Sequence, residues 1–220
     1  MKRIAYFGGS FDPVHNAHLR IAQKLPELFR LDEFYFIPAF HAPHKPNLTP
    51  LSAYHRFAML AIATEGDENI KVSTVELDSP EKPYTIETAE KLLAQHEKQD
   101  QLFFVIGGDS WRDINAWREW EKLLLMVNFI VVERPEIEFS ISHVSDAVRE
   151  RVVDLRGKKE MEIVVRIAEV SGEKIFFTDA VKLDIAATDI RDDIDNNDSE
   201  WHSEVPPEVA KYIEKYQIYK

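Results

Sequence analysis

Residues 3–18, RIAYFGGSFDPVHNAH, contain the most informative pattern for the fold. The first five residues form a short apolar run, which is typical of a buried β-strand, and Gly8-Gly9 indicates a tight turn at the end of that strand. Apolar residues then recur at helical spacing and predict a helix over about residues 18–29, which Pro26 should kink or end early. A strand, a glycine turn and a helix in this order are typical of a parallel α/β unit.

The same alternation continues along the chain. Further strands are predicted at residues 33–38, 70–77, 102–106, 127–132 and 175–178, and further helices after Ser52 and over residues 85–96 and 206–216. The strands are continuously apolar, which indicates a parallel sheet covered on both faces. The predicted fold class is therefore α/β, a Rossmann-like doubly wound parallel sheet with helices on both faces. One domain is expected over residues 1–220, with a helical portion from about residue 186. The mixed pattern of residues 136–174 gives no assignment.

The composition restricts the classes of function. The chain has 220 residues, with 27 Lys and Arg against 39 Asp and Glu, and a formal net charge of −12. Binding to nucleic acid or to an anionic membrane needs a broad positive field, so neither partner is expected, and positive charge for an anionic substrate must be local. The absence of cysteine excludes disulfides, cysteine metal sites and cysteine nucleophiles.

The sequence also predicts the cell compartment of the protein. The longest apolar stretch, residues 123–132, is too short to span a bilayer, and Asp12 comes too soon for a signal peptide. A cytoplasmic protein is expected. The sequence leaves the oligomeric state open.

Three loops at predicted strand ends carry candidate chemistry, at residues 8–18, 38–46 and 107–110. Ligands of open parallel sheets bind at this edge. The sequence contains neither a Walker loop nor a Gly-x-Gly-x-x-Gly motif, so a phosphate site must be built differently. Gly8 and Gly9 allow a ligand to approach the backbone, and Ser10 and the turn amides can donate to phosphate.

His15 and His18 lie three residues apart at the start of the predicted helix. Both rings can therefore point to one spot, where the first amides of the helix add partial positive charge. Two other interpretations fit the pair alone. The histidines can be ordinary polar residues beside a capped helix, or a zinc pair, although no third ligand follows at metal spacing.

The whole string from Gly8 to Leu19 closely resembles the Gly-Ser/Thr-Phe-Asp-Pro-Val-His-x-Gly-His signature of the nucleotidyltransferase superfamily. Nearly the whole chain is similar to the bacterial nicotinate-nucleotide adenylyltransferases. The strings that carry this likeness are Pro43-His44-Lys45-Pro46, Tyr84-Thr85-Ile86-Glu87-Thr88, Ile106-Gly107-Gly108-Asp109-Ser110 with Trp117 and Trp120, Val131-Val132-Glu133-Arg134-Pro135, and Ala187-Thr188-Asp189-Ile190-Arg191. Two departures are Ala17 in place of glycine, and Ala186-Ala187 where the second signature often has serine.

The resemblance implies transfer of the adenylyl group of ATP to nicotinate mononucleotide, giving nicotinate adenine dinucleotide and pyrophosphate in NAD biosynthesis. Mg²⁺ would be held by substrate and water, with no metal-ligating side chain assigned. The implied catalytic residues are His15, His18, Lys45 and Arg191. The implied ATP-binding residues are Gly8, Gly9, Ser10, Phe11, Gly107, Asp109, Thr188 and Ile190.

The acceptor site that the resemblance implies involves four residues. Trp117 offers a flat face for a pyridine ring, and Thr85 with the first amides of its helix can bind the ring carboxylate. Tyr84 lies beside Thr85, and Arg134 would approach the acceptor phosphate. Trp120 is expected to pack inward.

Alternatives remain at this stage. The chain can be a nicotinamide-mononucleotide adenylyltransferase, a phosphopantetheine adenylyltransferase, or a non-catalytic nucleotide-binding regulator of the same fold. Asp109 can be a helix N-cap as well as a ligand of the ATP ribose.

Overall fold

The structure is a computed structural model that describes residues 1–40, 51–79, 84–133, 139–181 and 184–219. The strands within these residues are β1 (Arg3–Gly9), β2 (Glu33–Pro38), β3 (Ile70–Val72), β4 (Gln101–Gly107), β5 (Asn128–Val132), β6 (Val152–Asp154) and β7 (Ile175–Thr178). The α-helices are α1 (Asn16–Phe29), α2 (Ala53–Ala63), α3 (Thr85–Gln95), α4 (Gly108–Arg112), α5 (Trp120–Met126), α6 (Asp146–Arg149), α7 (Glu160–Glu169), α8 (Ala187–Asp195) and α9 (Pro207–Tyr216). Two 3₁₀ turns cover Ile114–Ala116 and Glu200–Ser203.

The strands form a parallel sheet in the order β3-β2-β1-β4-β5-β7-β6. The order reverses between β1 and β4, since the chain builds outward from β1 on one side before it crosses to β4 on the other. A crevice opens at such a switch point, beyond the carboxyl ends of the two central strands. The glycine turn after β1 and the Gly107-Gly108 turn after β4 therefore lie next to each other at one edge of the sheet.

Each central strand contributes side chains to both faces of the sheet. In β1, Ala5 and Phe7 join the apolar cluster packed against α1, α2 and α9, whereas Ile4 and Tyr6 join the cluster packed against α3 and α5. In β4, β5 and β7 the residues alternate in the same way between the two clusters. Side chains of a strand alternate between faces, so a strand that is buried on both faces must be apolar throughout. The predicted fold class, with helices on both faces of a parallel sheet, is confirmed.

Two sequence-based assignments need correction, and the region without an assignment can now be described. Pro26 does not end α1, which continues to Phe29. Pro26 lies in the last turn, and its carbonyl accepts the amide of Leu31 at 3.0 Å where the helix ends. The third strand ends at Val72 instead of residue 77, because residues 74–79 form a turn in which the Thr74 hydroxyl donates to Asp78 at 2.6 Å. The region without an assignment contains α6, β6 and α7.

The prediction of one domain over residues 1–220 stays a prediction. Residues 186–219 contain α8, the second 3₁₀ turn and α9, as the sequence pattern suggested. Among the helices of the described residues, none has both the length and the apolar character that crossing a bilayer requires.

Candidate active site

A cavity of about 340 Å³ opens at the carboxyl edge of the sheet, at the switch point between β1 and β4. This volume lies within the range of small-ligand pockets. Its wall combines the turn after β1, the turn after β4, and the first residues of α1, α3 and α8. Three helix beginnings therefore meet at one cavity, and the exposed amides at a helix beginning favour anions.

The two histidines of the first loop lie face to face. Their ring centroids are 3.6 Å apart with an interplanar angle of 26°, and both residues line the cavity. The His15 amide donates to Nδ1 of His18 at 3.3 Å, where α1 begins. The ring of Phe11 packs edge-on against His18, with 4.9 Å between centroids. This packing fixes both rings at the point that the sequence predicted for phosphate.

Arg191 reaches the same region from α8. Its Nη1 donates to the carbonyl oxygen of Asp12 at 2.6 Å, and its Nη2 donates to Oγ1 of Thr188 at 3.3 Å. Both partners are uncharged acceptors, and within the described residues no carboxylate forms an ion pair with this guanidinium. Its positive charge is therefore oriented but not neutralised by direct pairing. An anion such as a phosphate can therefore still bind to it.

At two glycines of the cavity wall, a side chain would displace a neighbouring group. A Cβ at Gly9 would lie 2.9 Å from the ring of Phe11, and a Cβ at Gly107 would meet the carboxylate of Asp109. Helix α4 starts at Gly108 with Gly107 as its N-cap residue, so Asp109 lies inside the first turn and is not the N-cap. The Asp109 carboxylate folds back over Gly107 and lines the cavity.

Another group of residues that line the cavity contains two aromatic side chains and a cation. Tyr84, Thr85 and Trp117 line the cavity, as the sequence suggested. Arg118 also lines the cavity, and the motifs did not identify this residue. The Arg118 guanidinium lies 4.8 Å from the centre of the Tyr84 ring and donates to Glu87 at 3.1 Å.

Glu76 is an acidic group on this wall that sequence reasoning missed. The turn that ends β3 early places Glu76 beside α3, where the Thr88 hydroxyl donates to its Oε1 at 3.1 Å. Burial raises the pKa of Glu76 to about 7, against the opposing effects of the Thr88 hydroxyl, the Phe40 amide and the Arg56 charge. The carboxyl group therefore has access to both protonation states near neutral pH.

Arg56 joins the loops that form the cavity. Its side chain is 1% exposed and donates to the carbonyl oxygens of Leu51 at 2.9 Å, Ser10 at 2.5 Å and Ala39 at 2.5 Å. Ser10 follows β1 and Ala39 follows β2, so one guanidinium connects the ends of both strands. An arginine on an amphipathic helix normally indicates a solvent-exposed face, and no sequence motif marks this one as buried.

Most predicted site residues in the described part of the chain line the cavity. The exception is Ile190, whose side chain is buried in the core with 0% exposure. A contact of its backbone with ATP stays a prediction. Lys45 and Arg134 lie outside the described residues, so their predicted roles stay predictions as well.

Trp111 is in the core with its Nε1 bonded to the Ser140 carbonyl, and Trp120 packs partly against the same core.

The acidic residues of the cavity do not form a metal centre. Glu76, Asp109 and Glu133 line the wall, but the described residues contain no group of three or more His, Cys, Asp or Glu placed to hold a metal ion. The neighbouring donors are histidine rings, a guanidinium and amides. Such a donor set fits a cation that arrives already bound to phosphate oxygens.

Residues 6–193 match the protein family described as Cytidylyltransferase-like. The chain belongs to the cytidylyltransferase-like family. This cytidylyltransferase-like chain is 36% identical over 218 residues to a Pelobacter propionicus protein named "Probable nicotinate-nucleotide adenylyltransferase", with 99% of this chain and 98% of the relative covered. A protein of the same name from Pseudomonas paraeruginosa is 36% identical over 219 residues, with coverage of 100% and 98%. These comparisons confirm the family that the sequence motifs indicated.

The fold has a solved counterpart. The structure of Plasmodium falciparum nicotinic acid mononucleotide adenylyltransferase complexed with NaAD matches with a TM-score of 0.73 at 20% sequence identity, covering 100% of this chain and 98% of that chain. At this identity the match concerns the fold alone. It agrees with the α/β fold of this cytidylyltransferase-like protein.

Replacement of Arg56 by methionine should destabilise the protein. Arg56→Met removes the donor from three carbonyl oxygens, and the unpaired groups should lower the free energy of unfolding by about 3 kcal/mol. Chemical denaturation measures this. Arg166→Met on α7, whose side chain is 54% exposed, is the matched control and should change stability by less than about 0.5 kcal/mol. Equal effects of the two substitutions would contradict the role given to Arg56.

Proposed function

We propose that this protein transfers the adenylyl group of ATP to nicotinate mononucleotide and releases pyrophosphate and nicotinate adenine dinucleotide. The observation that carries the proposal is the cavity itself, whose lining includes a histidine pair, an oriented arginine, two aromatic side chains and the first residue of α3. Full-length relatives named for this activity support it. An enzyme that consumes ATP in NAD biosynthesis would act in the cytoplasm.

The proposed reaction joins two anions. An oxygen of the acceptor phosphate attacks the α-phosphorus of ATP, a new P–O bond forms, and the bond to the bridging oxygen breaks so that pyrophosphate leaves with the electron pair. The barrier comes mainly from charge repulsion and lost freedom of motion. Positioning and charge stabilisation are therefore sufficient, and no covalent enzyme intermediate is needed.

His15, His18 and Arg191 would bind the ATP phosphates. The stacked rings project from the start of α1, so their N–H groups and the helix amides act on the same charge. Arg191 would hold the departing pyrophosphate through its planar fork, because Asp12 and Thr188 leave its charge unpaired. Lys45 is proposed to act on the same phosphates as a point charge.

We propose different partners for the ATP ribose, which would bind to Asp109, and for the metal ion, which would be bound to the ATP phosphates. Asp109, folded over Gly107 at the cavity wall, would accept from a ribose hydroxyl. Mg²⁺, when bound to the ATP phosphates, neutralises part of their charge. The chain's own residues there bind and orient the remaining phosphate oxygens through N–H donors.

The acceptor ring would lie beside the aromatic residues of the cavity. Trp117 offers its face to the pyridine ring, and the first amides of α3 at Thr85 favour the ring carboxylate. Arg118, which is paired with Glu87, lies next to Tyr84 and would give the ring carboxylate a cationic contact. A nicotinamide ring carries no charge, so these residues should favour nicotinate. Arg134 is proposed to bind the acceptor phosphate.

The function is tested by supplying alternative acceptors. The protein, ATP and Mg²⁺ are incubated with nicotinate mononucleotide, nicotinamide mononucleotide or phosphopantetheine, and pyrophosphate release is measured. We expect the highest kcat/KM with nicotinate mononucleotide. Preference for the amide would contradict the acceptor assignment, and no release with any acceptor would favour a non-catalytic regulator.

Removal of the His18 imidazole should abolish most turnover. His18→Ala deletes a donor to the phosphates, and loss of one such donor typically lowers kcat by about 100- to 1,000-fold. ATP should still bind, because His15, Arg191 and the helix amides remain. His202→Ala is the control, since His202 pairs with Glu214 away from the cavity. Turnover of His18→Ala close to wild type would remove His18 from the catalytic set.

Removal of the Arg118 charge should reduce the preference for nicotinate mononucleotide over nicotinamide mononucleotide. Arg118→Gln takes away a cation near the proposed carboxylate site, and a charge interaction of about 1 kcal/mol at a half-exposed position corresponds to roughly a fivefold loss of kcat/KM for nicotinate mononucleotide. The value for nicotinamide mononucleotide should change little. Arg112→Gln, on an exposed arginine paired with Asp113, is the control. An equal loss of kcat/KM with both acceptors would show that Arg118 does not distinguish the ring carboxylate from the amide.

A further inference from the structure

Asp12 joins three separate parts of the chain. Its side chain is 7% exposed, and Oδ2 accepts the Leu51 amide at 3.3 Å. Oδ1 accepts the hydroxyl of Tyr219 at 2.6 Å, and the backbone carbonyl accepts Nη1 of Arg191 at 2.6 Å. The same residue therefore binds the end of the chain through its carboxylate and the Arg191 guanidinium through its backbone.

Tyr219 reaches Asp12 because the chain turns back after α9. Ile218 is 5% exposed in the core, and its amide donates to the Ile213 carbonyl at 3.1 Å. Gln217 and Tyr219 both adopt left-handed backbone conformations, with φ of 50° and 67°. A left-handed tyrosine is uncommon and persists where its surroundings hold it. Here the core contact of Ile218 and the Asp12 hydrogen bond hold it.

The Tyr219 hydroxyl is expected to stay protonated and therefore to remain a hydrogen-bond donor to Asp12. Burial and the neighbouring Asp12 carboxylate raise the pKa of Tyr219 above its ordinary value, so the hydroxyl keeps its proton and remains a donor. Tyr219 does not line the cavity wall, so it can act on a ligand only through its neighbours.

We propose that Tyr219 is a positioning residue for Arg191: its hydroxyl fixes Asp12, and the Asp12 carbonyl holds the Arg191 guanidinium at the cavity. This inference rests on the proposed function, because it takes the phosphates of ATP as the ligand of Arg191. Without the Tyr219 hydroxyl, the loop at Asp12 becomes more mobile, and so does the Arg191 side chain that the Asp12 carbonyl holds. Binding of ATP must then immobilise Arg191, which costs binding free energy.

The test is a double-substitution cycle on MgATP binding, measured by calorimetry. Tyr219→Phe removes the hydroxyl alone, and we expect Kd for MgATP to rise about tenfold, the usual scale for loss of a hydrogen bond to a charged group. Arg191→Ala should raise Kd further. Because Tyr219 acts through Arg191, adding Tyr219→Phe to Arg191→Ala should change Kd less than about twofold. A general structural defect would weaken binding in both backgrounds alike.

The controls separate this role from folding. Tyr216→Phe changes a tyrosine that is 52% exposed on α9 and should leave Kd unchanged. Asp12→Asn is a second variant that keeps the carbonyl but weakens the acceptor of Tyr219, and its effect should likewise disappear in the Arg191→Ala background. Thermal unfolding of each variant is recorded. Calorimetry is then run at a temperature well below the lowest unfolding midpoint among the variants.

Two results would overturn the inference. Tyr219→Phe could bind MgATP as the wild type does, or it could weaken binding by the same factor with and without Arg191. The outcome is separable from that of the proposed function. A wild-type chain that binds MgATP but releases no pyrophosphate with any acceptor would end the proposed function, while the cycle would still decide the role of Tyr219.

Discussion

Two reactants that repel each other must meet in a protein that is itself strongly negative. The chain carries a formal net charge of −12, so its overall field opposes the approach of ATP and of a mononucleotide. Local structure must therefore supply positive charge. Three helix beginnings, the stacked pair His15 and His18, and the Arg191 guanidinium supply it at one cavity.

The sheet makes this concentration of charge possible. Residues of β1 and β4 alternate between two apolar clusters, so both strands are locked at the centre of the fold. Their glycine turns then lie side by side at the switch point. Arg56 connects the residues that follow β1 and β2 through the carbonyl oxygens of Ser10 and Ala39. Such anchoring matters because donors that are already in place need no reorganisation during the reaction.

The sequence was most informative where a local pattern carries the structure. The continuously apolar strands β1, β4 and β5 and the glycine turns could be predicted, since a doubly buried strand admits few polar residues. Strand β6 has three residues at the sheet edge, which is too short for a periodic signal. Glu76 was missed because the strand pattern appeared to continue through a turn. The contact of Tyr219 with Asp12 spans 207 residues, and no local motif can indicate such a pairing.

The positions of the two bound products decide whether the reaction takes place at the cavity beside the β1 turn. A crystal structure of the protein with nicotinate adenine dinucleotide and pyrophosphate would show where the phosphates lie. We expect the phosphates to contact the His15 and His18 rings, the glycine turn after β1 and the Arg191 guanidinium, with the pyridine ring beside Thr85 and Trp117. Phosphates bound away from the β1 turn, with the histidine pair untouched, would contradict this expectation.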